Sequence, residues 1–432
     1  MANLIPFRGV RYNPAKVALD KVVTPPYDVI DASAQAAYYD LDPHNVIRLE
    51  LGLKYDTDSD QENRYTRSRD FFQQWLQAEI LKHDELPALY LYEQEFEVRG
   101  EKKIRTGFLS GVQVEEYSKG VVLPHEETLP KHKADRLELL RTAQANFSPI
   151  FGLYADANHE IDAILAEAKG NRPPDGQVME PAGVINRLWA VMDQVAIAKV
   201  VQLMQGRQIF IADGHHRYET SLNYAKEMVE LGHPELNYIM MALVNLYDPG
   251  LVVFPTHRLV RNLPNFDLEQ LLTGLSHNFY VESLPAETSL DAFIAAMEDS
   301  GQAVQTFGLY APGQRYFIFK VKHPEQLDEM VAGHSSAWCN LDVSILHTLV
   351  LDKLLGIGSQ QRADESNLTY TRDEEEALKS VDSGAYQLAF FMNATKVEEV
   401  TEVAIGGEKM PQKSTFFYPK IVTGMVINDF TK

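Results

Sequence analysis

Apolar residues recur along the chain at two periods. From Arg64 to Lys82 the period is helical, with Phe71, Phe72, Trp75, Leu76 and Ile80 on one side. From Leu89 to Val98 and from Ile104 to Val114 they alternate as in half-buried strands, and Arg99-Gly100-Glu101-Lys102 suits the turn of a hairpin. Further helices are predicted over 135–145, 195–205, from Arg217 to about Leu231 with Gly232 as the stop, 268–275, 290–297, 341–355 ended by Gly356, and 397–404. Further strands are predicted over 149–154, from Ile209 to the glycine at 214, and over 238–245, 304–309, 316–321 and 387–392. Residues 168–183 are rich in Gly and Pro and read as a loop. Thr24-Pro25-Pro26-Tyr27-Asp28 reads as a stiff extended turn, because each proline fixes its own φ and restrains the residue before it. The alternation predicts an α/β to α+β fold with mixed sheets. A boundary near 248–262 divides it into an N-terminal region, 1–248, and a C-terminal α/β domain, 249–432.

Composition narrows the function classes. The formal net charge is −21, which disfavours sequence-independent binding to nucleic acid, a process that relies on Lys and Arg against phosphates. No apolar run is long enough for a membrane span, and Met1 to Val10 lacks the apolar core of a signal peptide. The single cysteine, Cys339, rules out an internal disulfide and fits a reducing cytoplasm. A thiolate metal site is disfavoured for the same reason, and no protein cage for a metal is expected.

The densest chemistry lies in Ile209-Phe210-Ile211-Ala212-Asp213-Gly214-His215-His216-Arg217. A buried strand stops at a glycine and passes directly into a helix. Such a helix start presents unpaired N–H groups and the positive end of the helix dipole, so it suits an anion. Gly214 permits close backbone approach, and His215, His216 and Arg217 add charge-assisted donors of the kind phosphate oxygens accept. A plain cap at Asp213 with surface histidines is the structural alternative. Other candidates are His125-Glu126 with Lys131 and Arg136 following, where Glu126 would be a general base toward an alcohol and the cations would meet phosphate. Lys413-Ser414 within the run to Lys420 is a further anion candidate, although it lacks the glycines of a Walker A loop. His257-Arg258 and Asp28 complete the set, Asp28 for magnesium or a substrate amine.

The combination of Thr24-Pro25-Pro26-Tyr27-Asp28, Leu123-Pro124-His125-Glu126, Asp213 to Thr220 and Pro411-Gln412-Lys413-Ser414-Thr415 resembles the prokaryotic domain of unknown function family 1015, over essentially the whole chain. More distantly, the order His125-Glu126-Glu127, a helix, Pro149-Ile150, then Asp213 to Arg217 is similar to that of ParB-like free-serine kinases in the ParB/sulfiredoxin nucleotide-binding superfamily. That resemblance implies a ParB/sulfiredoxin-like core over about 112–235, with an insertion near 155–205. It implies Glu126 as the base, His215, His216 and Arg217 on phosphate, and Asp213 near substrate or magnesium. Sulfiredoxins carry a catalytic Cys where His215 stands, so peroxiredoxin repair is excluded. ParB proteins carry a helix-turn-helix and a basic surface, neither of which is visible here.

The expected function is therefore nucleotide-dependent phosphoryl transfer to a hydroxyl of a small metabolite, with Mg²⁺ and ATP or ADP as cofactors. A nucleotide-sensing protein without turnover, and a phosphohydrolase, are the alternatives. The expected partners are the nucleotide and the small hydroxylated metabolite, with neither nucleic acid nor membrane, in a cytoplasmic protein for which a homodimer is one compatible assembly.

Overall fold

The computed structural model describes residues 2–126 and 130–431, with the side chains of 130–132 and 363 also outside the description. The fold is mixed α/β, with a large mixed sheet and several smaller sheets. Residues group into two compact units. One is built from 2–124, 130–252 and 419–431, the other from 125–126 and 253–418. The last stretch of the chain thus belongs to the first unit, a return that a single boundary near 248–262 does not anticipate.

The first unit is organised by one sheet. Its strand order is Val122–Leu123, Ile209–Asp213, Ile150–Tyr154, Tyr238–Asn245, Glu101–Gln113, Leu89–Val98, Ile185–Val191 and Gly176–Met179, with Leu4–Ile5 added against Glu101–Gln113. The 209–213 strand runs parallel to 122–123, and 238–245 runs parallel to 150–154, whereas the other pairs are antiparallel. Strands 150–154 and 238–245 are apolar except at Asn245 and almost wholly buried, as expected for strands covered on both faces. Two strands lie where the sequence pattern missed them. Gly176–Met179 falls in the stretch read as loop, and Ile185–Val191 pairs with both it and Leu89–Val98. Gly176 and the prolines before it make the local signal loop-like, while burial of Val178, Leu188 and Trp189 supplies the pairing energy. Helix 130–143 begins earlier than its apolar period, at Pro130, a favoured first helical position.

The second unit has a six-stranded antiparallel sheet in the order Phe279–Ser283, Arg315–Val321, Thr306–Ala311, Leu388–Phe391, His257–Val260 and Leu368–Thr371. Period-2 alternation sorts its side chains to two cores. Val260, Phe307, Phe319 and Phe390 join one, and Leu259, Tyr310, Ile318 and Phe391 the other. The predicted helix 341–355 is α-helical only at Asp342–Ile345, then widens into a π-helix over Leu346–Asp352. No described helix is long and apolar enough to cross a membrane.

Candidate functional site

The Asp213–Arg217 junction folds around three local events. The register of the 209–213 strand shifts between Ile211 and Asp213, a bulge that re-aims the Asp213 side chain. Gly214 then adopts φ +94°, and a Cβ there would lie 3.0 Å from Arg217 Nε and Nη2. Glycine accepts both the left-handed turn and the guanidinium folded over it without strain. Helix His215–Glu230 starts at once, and Gly214 offers no capping side chain. Tyr218 anchors this start: its hydroxyl donates to the Glu115 carbonyl and accepts the Glu115 N–H, both at 2.9 Å.

Asp213 is the hub. Its Oδ1 accepts from Lys420 Nζ at 2.8 Å and its Oδ2 from Arg217 Nη2 at 3.1 Å. Burial opposes its charge, but Lys420 and Arg217 outweigh burial and hold the carboxyl at about 2. Arg217 is buried; its Nη1 donates to the Pro149 carbonyl at 2.5 Å, and its Nε has no partner among the described residues. His215 is buried and His216 half-buried.

Two distant segments complete the centre. Backbone hydrogen bonds between Thr24 and Thr423, at 3.2 and 2.7 Å, join the Thr24–Asp28 turn to the returning C-terminal stretch. Gln94 Nε2 donates to the Lys420 carbonyl at 2.9 Å and Arg105 to that of Pro419, which fixes the approach of Lys420. The stiff turn is extended only to Pro26, and Tyr27–Val29 forms one 3₁₀ turn. The Tyr27 ring faces two guanidiniums, with Arg136 at 4.1 Å and Arg217 at 5.9 Å from its centroid. Desolvation and then the like charge of Asp213 push the Asp28 carboxyl up, against Arg217 and Lys420. With the residue itself open to solvent, the Asp213 charge is the durable part of that shift.

Arg136 is held between two acids. Its Nη1 donates to the Glu50 carbonyl at 3.0 Å and to Glu50 Oε1 at 3.1 Å, and Nε donates to Asp135 at 2.9 Å. Ser148 Oγ adds a hydrogen bond to Glu50 Oε1 at 3.0 Å. These satisfied charges stand behind Tyr27 and Arg217, beside a cavity of about 30 Å³ lined by Glu50, Arg136, Ser148, Arg217 and Ser221. The Lys131 side chain lies outside the described residues.

The other candidates are placed in the second unit. The Met410 N–H donates to the His125 carbonyl at 2.6 Å, and His125 Nε2 lies 2.9 Å from Thr415 Oγ1. Glu126 Oε1 accepts the backbone N–H of Lys413 at 2.8 Å. Lys413 contributes backbone at φ +59° with its side chain outward, and buried Ser414 donates to the Pro411 carbonyl. Lys413 thus binds Glu126 through its backbone, and the Ser414 carbonyl accepts from Thr395 Oγ1 at 2.7 Å. Arg258 Nη2 donates to the Lys413 carbonyl at 3.1 Å, and the His257 ring packs tilted against Phe391 with centroids 4.7 Å apart.

Sequence reasoning missed Lys420, Tyr27 and Glu50. Lys420 and Tyr27 stood inside motifs that drew attention for other residues, and Glu50 carried no local signal. Among the described residues no group of three or more His, Cys, Asp or Glu side chains is arranged to hold a metal ion by itself. Asp28 and Asp213 are two carboxylates of the kind that bind Mg²⁺ together with nucleotide phosphates and water.

Solved structures show weak likeness. A free serine kinase in complex with AMP gives a TM-score of 0.35 at 15% identity, covering 71% of this chain and 89% of that chain. A conserved hypothetical protein from Pyrococcus furiosus gives 0.33 at 15% identity, covering 70% and 89%. SbnI from Staphylococcus aureus, C-terminally truncated, gives 0.34 at 10% identity, covering 73% and 87%. At these scores the likeness carries no functional weight. No curated protein matches the chain. A family model described as "Protein of unknown function (DUF1015)" matches residues 4–344, most of the chain, and the protein belongs to that family.

Proposed function

We propose that the protein is a nucleotide-dependent phosphotransferase acting on a hydroxyl of a small metabolite. The observation that carries this reading is the convergence of Lys420 and buried Arg217 on Asp213 at a glycine-led helix start. Two cations, a helix dipole and backbone N–H groups at one point form an anion cradle. Asp213 stays ionised there and keeps both cations aligned. Bound Mg²⁺ would be held by Asp28 and Asp213 and would share the phosphate charge. The two carboxylates titrate apart, one raised and one lowered, as in sites that separate an acid–base role from an electrostatic one. His215 and His216 enter as further phosphate donors. Glu126, with Oε1 oriented by the Lys413 N–H, enters as the base toward the acceptor hydroxyl. The order of motifs shared with ParB-like free-serine kinases supports the same assignment.

The test is incubation of the purified protein with Mg²⁺, ATP or ADP, and a panel of small hydroxylated metabolites. The expected result is acceptor-dependent nucleotide consumption that Arg217→Met and Glu126→Gln each reduce by roughly a hundredfold or more, the scale of a lost base or electrostatic contact. Nucleotide binding without consumption would move the protein to the sensing class. Phosphate release without an acceptor would make it a hydrolase.

A further inference from the structure

The second unit holds a polar centre that phosphoryl transfer leaves unused. Arg258 lies on an inner strand of the six-stranded sheet, opposite Tyr370 on one side and Phe390 on the other. Alternation turns it toward the core of Val260 and Phe390, away from the face of His257. The residue is 1% exposed. Its two terminal nitrogens donate to the backbone carbonyls of Thr256 and Lys413, its guanidinium lies 5.6 Å from the Tyr370 centroid, and its Nε has no partner among the described residues.

The helical run 342–352 covers the same core, through Leu346, Leu349 and Val350. Ser344 and His347 stand three residues apart on it, where the α-helix widens into a π-helix. That spacing makes their side chains neighbours. Both are buried, and neither Ser344 Oγ nor His347 Nε2 has a partner among the described residues. Burial, then Arg258 and then Arg362, lowers His347, so cationic charge bears on the imidazole. The acid that bears on Arg258 is Glu126, and Glu126 Oε1 is already engaged by Lys413. Buried polar atoms are ordinarily satisfied, and π-turns concentrate at functional sites. Here unanswered donors and a buried guanidinium border one core.

We propose that Arg258, His347 and Ser344 form a binding site for a small oxyanion, a carboxylate or phosphate group. Arg258 Nε–H, His347 Nε2–H and the Ser344 hydroxyl would each donate to it, and the guanidinium would supply the opposing charge. Half-buried Tyr370, Arg362 and Glu126 mark the side from which a ligand enters.

The test uses the whole protein labelled with ¹³C-histidine. The His347 Cε1–H resonance is assigned by its disappearance in His347→Leu, or in His347→Gln if the leucine variant does not fold. Inorganic phosphate is titrated in one arm and malonate in the other, each to about 50 mM. The expected result is a saturable shift of the His347 resonance with at least one probe, weakened roughly tenfold in Ser344→Ala, the scale of one lost charge-assisted donor. The arm that responds names the chemistry. Absence of any shift with both probes, or equal affinity in Ser344→Ala, overturns the proposal. Because the readout is local to His347, its failure leaves the Asp213 reading standing.

Discussion

Two histidines of the second unit are buried in neutral form, and acid should therefore destabilise that unit by a calculable amount. His257 is 1% exposed and His347 4%. Burial, reinforced by Arg258, pushes His257 down to about 3, and burial with Arg258 and Arg362 pushes His347 well below the ordinary range. In the unfolded chain each titrates near about 6.5. Below that pH the unfolded state binds two protons that the folded state refuses. The stability is complete above about pH 6.5 and is lost as pH falls. Between pH 7.5 and 5.0 the loss is about 2 kcal/mol for each histidine, about 4 for the pair. Asp342 runs the other way. Burial and then Glu399 raise its carboxyl to about 7, so the folded state takes up its proton first and gains stability as pH falls through that value. The parent slope is thus a partial cancellation, and the diagnostic quantity is the difference between parent and the His257→Gln, His347→Gln double variant. Urea unfolding is followed by the fluorescence of Trp338, which packs in the core of Val260 and Phe390, in a Trp75→Phe, Trp189→Phe background. The double variant should lose about 4 kcal/mol less than its parent between the two pH values, and adding Asp342→Asn to the parent should steepen its loss. Parallel losses in parent and double variant would refute the assignment of neutral buried imidazoles.

Other consequences concern the first unit. Gly214→Ala should cost at least about 1–2 kcal/mol for its left-handed φ and displace Arg217 as well, whereas Gly214→Asn should be milder; denaturant midpoints and phosphate binding report both. Glu50→Gln removes one of the two acids paired with buried Arg136 and leaves Asp135, so it should cost roughly 1.5–3 kcal/mol, with part of that loss recovered by Glu50→Leu combined with Arg136→Met in thermal unfolding. Lys420→Met removes one of two cations from Asp213, so its carboxyl should rise from about 2, and the acid limb of nucleotide binding should move to higher pH; an unchanged limb would show that Asp213 does not control binding.

The part of the candidate site that could be read in the sequence is the part that local geometry builds. Asp213, Gly214 and Arg217 meet because a strand ends, a glycine turns and a helix begins, and four residues of helix return the guanidinium to the carboxylate. Period and turn chemistry suffice for that. Lys420 and Tyr27 reach the same carboxylate and guanidinium only through tertiary pairing, the bridge of Thr24 to Thr423, and nothing in the local pattern of either segment encodes its partner. The same division explains the strands missed at 176–179 and 185–191, whose turn-rich flanks speak for a loop while their sheet neighbours decide otherwise. It also explains why the partners of Arg136 are only half legible. Asp135 is its neighbour in sequence, but Glu50 is distant, and only the fold brings that buried acid to the guanidinium. The proposed cradle therefore stands among charges of two kinds. Arg217 and Lys420 bear on Asp213, where a ligand's charge would compete for them, while Arg136 is held by Glu50 and Asp135, with Glu50 reinforcing the charge of Arg217 from behind.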